Sequence, residues 1–302
     1  MVFYMTGVLF KIPKIKKDLF ELILISDPII GAIPGFIAKI LKIKILCYEG
    51  NVTPWYMPMS YRFNFCKKLL EIFKLLCSKI TIEISNAVIV NDGLIKKAMV
   101  KQGIKKNKIF VIRSLVDTQK FKPLSLNKNH NNNNFIVGFI GRLEEEKGAS
   151  LLLELCKKTL TILPEVNFII LGEGSLEKYF RPLQNVKYVG WVDHNAIPQK
   201  LDMVNVIISF QKSFGVGELE ALSCGKPIIV CKSNEMSEII KKSEIGLICE
   251  PNIESYMESI KILIKNEQLL KRLSKASRDY ILKNYSLEYI VNKWNFIIKS
   301  IL

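Results

Sequence analysis

The stretch Ser209–Cys231, SFQKSFGVGELEALSCGKPIIVC, leaves this chain little choice of fold. An apolar run of strand length, Val206–Phe210, leads into it and gives way to Phe214-Gly215. Val216–Ser223 then predicts a short helix, Gly225 stops it, and Lys226-Pro227 opens a second apolar run, Ile228–Cys231. Continuous apolar runs of this length are strands buried on both faces, and strand, helix, strand at this spacing builds a parallel sheet by right-handed crossover. The glycine ahead of the helix also makes a candidate anion site, since the first N–H groups of a helix have no internal partner. Glu218 and Glu220 sit near that positive end. Taken alone, the stretch reads first as the ordinary strand–turn–helix of an α/β domain, and the other segments decide.

The same rhythm runs through the rest of the chain. Phe20–Ile25, Ile43–Tyr48, Ala87–Val90 and Lys108–Ile112 read as strands of a first domain, and Gly31–Leu41 and Gly93–Val100 as helices between them. Met59–Ile84 reads as one long helix, with Phe65, Leu69, Ile72, Phe73, Leu76 and Ile80 on an apolar stripe and Lys67, Glu71, Lys74 and Ser78 on a polar one. The pattern fits a crossover helix facing the core, or a basic amphipathic helix lying on an anionic membrane. An irregular connector, Val111–Pro123, precedes the low-complexity run NKNHNNNN, 127–134, which has no means of packing and marks the domain boundary. Beyond it Phe135–Ile140, Asn167–Leu171, Val186–Val189 and Ile245–Cys249 add strands, Ala149–Leu163 a helix, and Leu287–Ile301 a final helix. The expected organisation is a first domain over 1–126, a linker over 127–134 and a second domain over 135–286, both doubly wound α/β.

Composition narrows the partners. A net charge of +16 favours an anionic partner, although the lysines show no aromatic interleaving and no reader motif for nucleic acid. The seven cysteines are scattered with no C-x-x-C pair, the pattern of reduced thiols in a cytosolic protein. Only two histidines, His130 and His194, are present and no D-x-D pair occurs, so no metal site is expected. In the first residues the charges of KIPKIKK follow the apolar run, the reverse of a signal peptide, and the run is too short to span a bilayer.

Ligands of open parallel sheets bind beyond the carboxyl ends of the strands. The polar and glycine-rich residues collect at those ends: Gly141-Arg142, Lys147, Gly172-Glu173-Gly174 and Phe214 to Glu220. Arg142 and Lys147 are two cations on one loop and suit a diphosphate. Glu220, one turn into its helix, can accept from both hydroxyls of a ribose.

At these motifs the chain resembles the retaining glycosyltransferases of family 4. The resemblance rests on VIRSLVDTQKFKP (Val111–Pro123), GFIGRLEEEKG (Gly138–Gly148), ILGEGS (Ile170–Ser175), NVKYVGWV (Asn185–Val192) and FGVGELEALSCGKPIIV (Phe214–Val230). It implies the GT-B architecture of two Rossmann-like domains, with helix 287–302 packing back on the first. Only 19 residues precede Phe20, so the N-terminal domain is expected to lack its first strands. It implies transfer of a sugar from a nucleotide-sugar to a lipid-linked or polysaccharide acceptor with retained anomeric configuration and no metal. The setting it implies is the cytoplasmic face of the membrane, with 59–84 as the membrane contact. Arg142 and Lys147 match the donor-phosphate cations, and Glu220 matches the second glutamate of the family's E-x7-E motif. Lys212 stands where the first glutamate is usual, beside the donor sugar, and Glu49 where a histidine is usual. The implied transfer residues are therefore Arg142, Lys147 and Lys212. The implied donor-binding residues are Gly141, Gly172, Glu173, Gly174, Val192, Phe214, Gly215, Val216 and Glu220. Lys212, Glu49 and the short front also fit a second reading, a truncated non-catalytic GT-B protein that binds a nucleotide-sugar or a partner subunit.

Overall fold

The computed structural model describes residues 21–29, 31–49, 65–124, 134–211, 214–232 and 236–302, with 65–71 as backbone. The chain divides into two compact units. One runs to Ser114 and takes back Ile290–Leu302; the other is the continuous stretch Leu115–Tyr289.

In the first unit, strands β1 (Leu22–Ile25), β2 (Lys44–Glu49), β3 (Ala87–Val90) and β4 (Ile109–Val111) form a parallel sheet in the order β1-β2-β3-β4. Helices α1 (Ala32–Ile40), α2 (Phe65–Ile84) and α3 (Gly93–Lys101) are the crossovers. The continuous apolar runs are buried as expected: all four residues of β3 are fully covered, and Val88 and Val90 pack with Ile45, Ile95 and Met99. Asp92 caps α3 by accepting from Leu94 N–H at 2.6 Å.

The long helix departs from the core-facing expectation. Residues 59–64 lie outside the described residues, and over Ile72–Ile80 of α2 the apolar stripe faces outward. Ile72, Phe73, Leu76 and Ile80 are 40–60% exposed, while Ser78, Thr81 and Ser85 are buried. Small side chains explain the inversion. The buried positions of α1 are Pro34, Gly35 and Ala38, and a Cβ on Gly35 would lie 3.0 Å from Ile84 Cδ1. Thr81 Oγ1 donates to Pro28 C=O at 2.7 Å and Ser85 Oγ donates to Thr81 C=O at 2.6 Å, so these two small polar residues pass inward with their hydroxyls bonded. On α1, likewise, Ile33, Phe36 and Ile40 are 59–65% exposed. The two helices thus display seven large apolar side chains, a surface larger than scattered exposure produces.

The second unit holds a six-stranded parallel sheet, β5 (Phe135–Ile140), β6 (Val166–Leu171), β7 (Val186–Gly190), β8 (Val206–Ser209), β9 (Ile228–Cys231) and β10 (Gly246–Cys249), in the order β10-β9-β8-β5-β6-β7. The chain winds outward from β5 through β6 to β7, then returns to the other side of β5 to continue through β8, β9 and β10. The reversal falls between β5 and β8. Helices α4 (Ala149–Ile162), α5 (Glu177–Phe180), α6 (Ile197–Asp202), α7 (Val216–Ser223), α8 (Met236–Ser243), α9 (Ile253–Lys265) and α10 (Glu267–Tyr285) cover the two faces, and α11 (Leu287–Ile301) follows. One face packs Leu152, Leu155, Tyr256 and Ile260 over the sheet; the other packs Leu219, Leu222, Met236 and Ile281.

The division between the units falls at Ser114/Leu115, ahead of the Asn-rich run, of which 125–133 lie outside the described residues. From Leu115 onward the connector belongs to the second unit because it packs there. Val116 and Phe121 are buried in the cluster of Leu219 and Leu222. Arg278 of α10, a helix the sequence reading did not anticipate, donates to Phe121 C=O at 2.7 Å, Thr118 C=O at 2.9 Å and Ser223 C=O at 2.9 Å. The described cysteines are free thiols, and burial pushes those of Cys224 and Cys249 up to about 12.

Candidate active site at the reversal of the second sheet

β5 and β8 pair only over Val137–Gly138 and Val206–Ile207. Beyond those pairs the strands run on to Ile140 and Ser209 without a shared ladder, which opens a crevice at their carboxyl ends. Three loops line it: the one after β5, the one after β6 and the one leading into α7. The first two interlock. Leu143 N–H donates to Glu173 C=O at 2.9 Å, Leu176 N–H to Leu143 C=O at 3.2 Å, and Ser175 N–H to Glu144 Oε1 at 2.9 Å. Gly172, at φ +135°, makes the approach possible, since a Cβ there would lie 2.0 Å from Gly141 C=O oxygen. The first turn of α7 sits against β5 for a similar reason: a Cβ on Gly217 would lie 2.7 Å from Ile140 Cγ2.

The first backbone bond of α7 runs from Leu219 N–H to Gly215 C=O, so the N–H groups of Val216, Gly217 and Glu218 precede the helical ladder. Glu218 folds back over this end. Its Oε2 accepts from Gly215 N–H at 3.1 Å, and its Oε1 from Ser209 Oγ–H at 2.9 Å and Gln211 Nε2–H at 2.6 Å. Lys147 joins the same network, with Nζ donating to Gln211 Oε1 at 2.6 Å. The cation of the β5 loop and the helix N-terminus after β8 are therefore tied together through Gln211. Burial raises the Glu218 carboxyl above its ordinary range, against the pull of Ser209, Lys147 and Gln211.

Glu220, one turn on, is also buried. His194 Nε2 lies 2.6 Å from its Oε1, and burial raises its carboxyl while the His194 contact opposes the rise. Neither carboxylate of α7 faces water, as a glutamate on a helix usually does.

The other expected residues take varied places. Arg142 points outward, exposed and paired with Glu146, rather than sharing the Lys147 network. Glu173 braces the loop after β7: its Oε1 accepts from Trp191 N–H at 3.2 Å. Its carboxylate is thus part of the scaffold. Val192 and Phe214 pack against the apolar cluster beside α7, and Val216 is half exposed at the helix start. Glu49 is buried at the carboxyl end of β2 in the first unit. Lys212 lies outside the described residues. Ser209, Gln211, Lys120 and His194 were not anticipated, and Glu218 was placed only near the positive end of the helix, with no partners. A glutamate three residues after the N-cap was a usable signal for Glu218; the others are joined only by the fold.

The chain matches the family described as "Glycosyl transferases group 1" over residues 121–280, more than half its length, and it belongs to that family. It is similar to the UDP-Gal:alpha-D-GlcNAc-diphosphoundecaprenol alpha-1,3-galactosyltransferase of Escherichia coli, 25% identical over 300 residues, covering 92% of this chain and 75% of that one. It is also similar to an uncharacterized 41.2 kDa protein of the cps region of Klebsiella pneumoniae, 26% identical over 280 residues, covering 88% and 76%. Among solved structures, HepE of Anabaena in complex with UDP superposes with a TM-score of 0.75 at 18% identity, covering 93% of this chain and 79% of that one. A glycosyltransferase from Rickettsia africae superposes at 0.74 with 20% identity, covering 96% and 79%. The fold is the GT-B fold that the sequence motifs imply.

Proposed function

We propose that this group 1 glycosyl transferase moves a sugar from a nucleotide-sugar to a lipid-linked or polysaccharide acceptor. The observation that carries the reading is the convergence, at the reversal of the second sheet, of Lys147, the α7 N-terminus and the buried Glu220. Departure of a nucleoside diphosphate builds negative charge on its phosphates, and donors fixed in place before the reaction stabilise it most. Lys147, held by Gln211, and the leading N–H groups of α7 are such donors, with Arg142 a second cation released when it leaves Glu146. Glu220 holds the ribose. Gly141, Gly172, Gly174, Gly215 and Val216 bring backbone close to the donor, and Glu173, Val192 and Phe214 shape the loops that do so. Lys212 occupies the sequence position where the family's sugar-side glutamate is usual. In this reading no metal takes part and the anomeric configuration is retained.

The acceptor reading has two supports. The E. coli relative is named for a diphosphoundecaprenol substrate. The outward apolar faces of α1 and α2, with Lys39, Lys74 and Lys79 among them, suit the boundary of an anionic bilayer. No helix among the described residues is long and apolar enough to cross a membrane. In this reading the chain works at the cytoplasmic membrane face, with the apolar faces of α1 and α2 as the peripheral contact. The test is calorimetric titration with UDP, followed by incubation with labelled nucleotide-sugars and membrane lipid. Absence of any nucleotide binding refutes the reading. Binding without turnover favours the non-catalytic alternative, for which Lys212 in place of a glutamate speaks.

A further inference from the structure

A line of side chains from the connector ends on Glu220. Lys120 Nζ lies 2.7 Å from His194 Nδ1, and His194 Nε2 lies 2.6 Å from Glu220 Oε1. An ammonium group only donates, so Nδ1 is the accepting nitrogen and the proton of the neutral ring sits on Nε2, where it donates to the carboxylate. Lys120 thereby selects the tautomer that Glu220 needs. The connector places both partners. Asp117 Oδ1 accepts from the backbone N–H groups of Gln119 and Lys120 at 3.0 Å, and the Phe121 ring packs on the imidazole with centroids 5.1 Å apart. The histidine side chain is 58% exposed and the Glu220 side chain 7%, so the ring stands at the mouth and the carboxylate beneath it.

We propose that Lys120 and His194 are positioning residues of the nucleotide site: they orient Glu220 through Oε1 and leave Oε2, with the second lone pair of Oε1, to accept the ribose diol. The inference rests on the reading of Glu220 as the ribose acid, and it assigns the connector a part in ligand binding. A glutamine at 194 preserves both contacts, since its amide donates to Glu220 and its carbonyl accepts from Lys120; alanine preserves neither.

The experiment is calorimetric titration of the full chain with UDP and with 2′,3′-dideoxyuridine diphosphate, which lacks the diol. The wild type binds UDP more tightly than the dideoxy probe. His194→Ala weakens UDP by about three- to tenfold, the effect of losing one charge-assisted hydrogen bond in part, and leaves the dideoxy probe unchanged. Lys120→Met follows the same selective pattern, and His194→Gln keeps UDP affinity within about twofold of wild type. Equal loss for both probes, no loss in His194→Ala, or a glutamine no better than alanine overturns the proposal. If the wild type itself binds the two probes equally, the ribose reading of Glu220 fails, and the positioning role falls with it.

Discussion

Substituting alanine at Gly172 tests whether the interlocked loops make the site. Gly172 adopts φ +135°, a region that L-residues avoid, at a cost of about 1–3 kcal/mol. Its added Cβ would also stand 2.0 Å from the carbonyl oxygen of Gly141 and 2.9 Å from the carbonyl carbon. Those atoms are backbone and cannot rotate away, so one loop must shift, for a further ~1–3 kcal/mol of overpacking. The sum is about 4 kcal/mol. For a unit the size of Leu115–Tyr289, each kcal/mol lowers Tm by about 2–4 °C, so the expected drop is about 12 °C. The shifted loop carries Arg142 and Lys147, so UDP affinity falls as well. Gly103→Ala is the comparison. Gly103 also has a positive φ, +95°, but nothing lies within 4 Å of the added Cβ, so only the backbone cost of about 1–2 kcal/mol remains. Circular dichroism melts and calorimetric titration read both quantities. A Gly172→Ala protein that melts within about 2 °C of wild type, or melts lower yet binds UDP unchanged, refutes the reasoning.

Other expectations follow from the same geometry. Lys147→Ala weakens UDP by roughly tenfold or more, whereas Arg142→Ala, starting from an exposed pair with Glu146, weakens it by about threefold; calorimetry yielding the reverse order would place the phosphates nearer Arg142. Glu218 has a raised folded pKa, so its contribution to stability is full below its unfolded value and is lost as pH rises through the folded one. Glu218→Gln, which cannot ionise, therefore flattens the fall in Tm as pH rises above the ordinary carboxylate range, and a fall parallel to wild type counts against the burial argument. Phe73→Asp and Ile80→Asp leave the melting temperature within about 2 °C of wild type, because both residues face outward, but reduce co-sedimentation with anionic vesicles several-fold. Unchanged co-sedimentation would remove α1 and α2 as the membrane contact. Chelator leaves sugar transfer unchanged; loss of activity restored by a divalent ion would overturn the metal-independent reading.

The strands of both sheets were readable because continuous apolar runs between glycine and proline report burial on both sides, as in β3 and β8. The glycine loops were readable for a related reason: a glycine at a strand end marks backbone approach, as Gly172 does. What sequence could not convey was direction. Periodicity grouped Ile72, Phe73, Leu76 and Ile80 on one face of α2, but the direction of that face depended on the small residues of α1, where Gly35 lies against Ile84. Sharing a face and facing inward are separate facts. The burial of Glu218 and Glu220 was hidden in the same way, because each depends on partners supplied by distant strands and loops. Ser209 and Gln211 come from the end of β8, and His194 from the loop after β7. The unit boundary followed contacts rather than composition. The polyasparagine run marks polar sequence, while Val116, Phe121 and Arg278 decide where the connector packs.

That arrangement also orders the chain in time. The nucleotide-site unit is one uninterrupted stretch, Leu115–Tyr289, whereas the first unit includes Ile290–Leu302. During synthesis the second unit can therefore close before the first receives its last helix. The first unit, although translated earlier, is complete only once Ile290–Leu302 has been made.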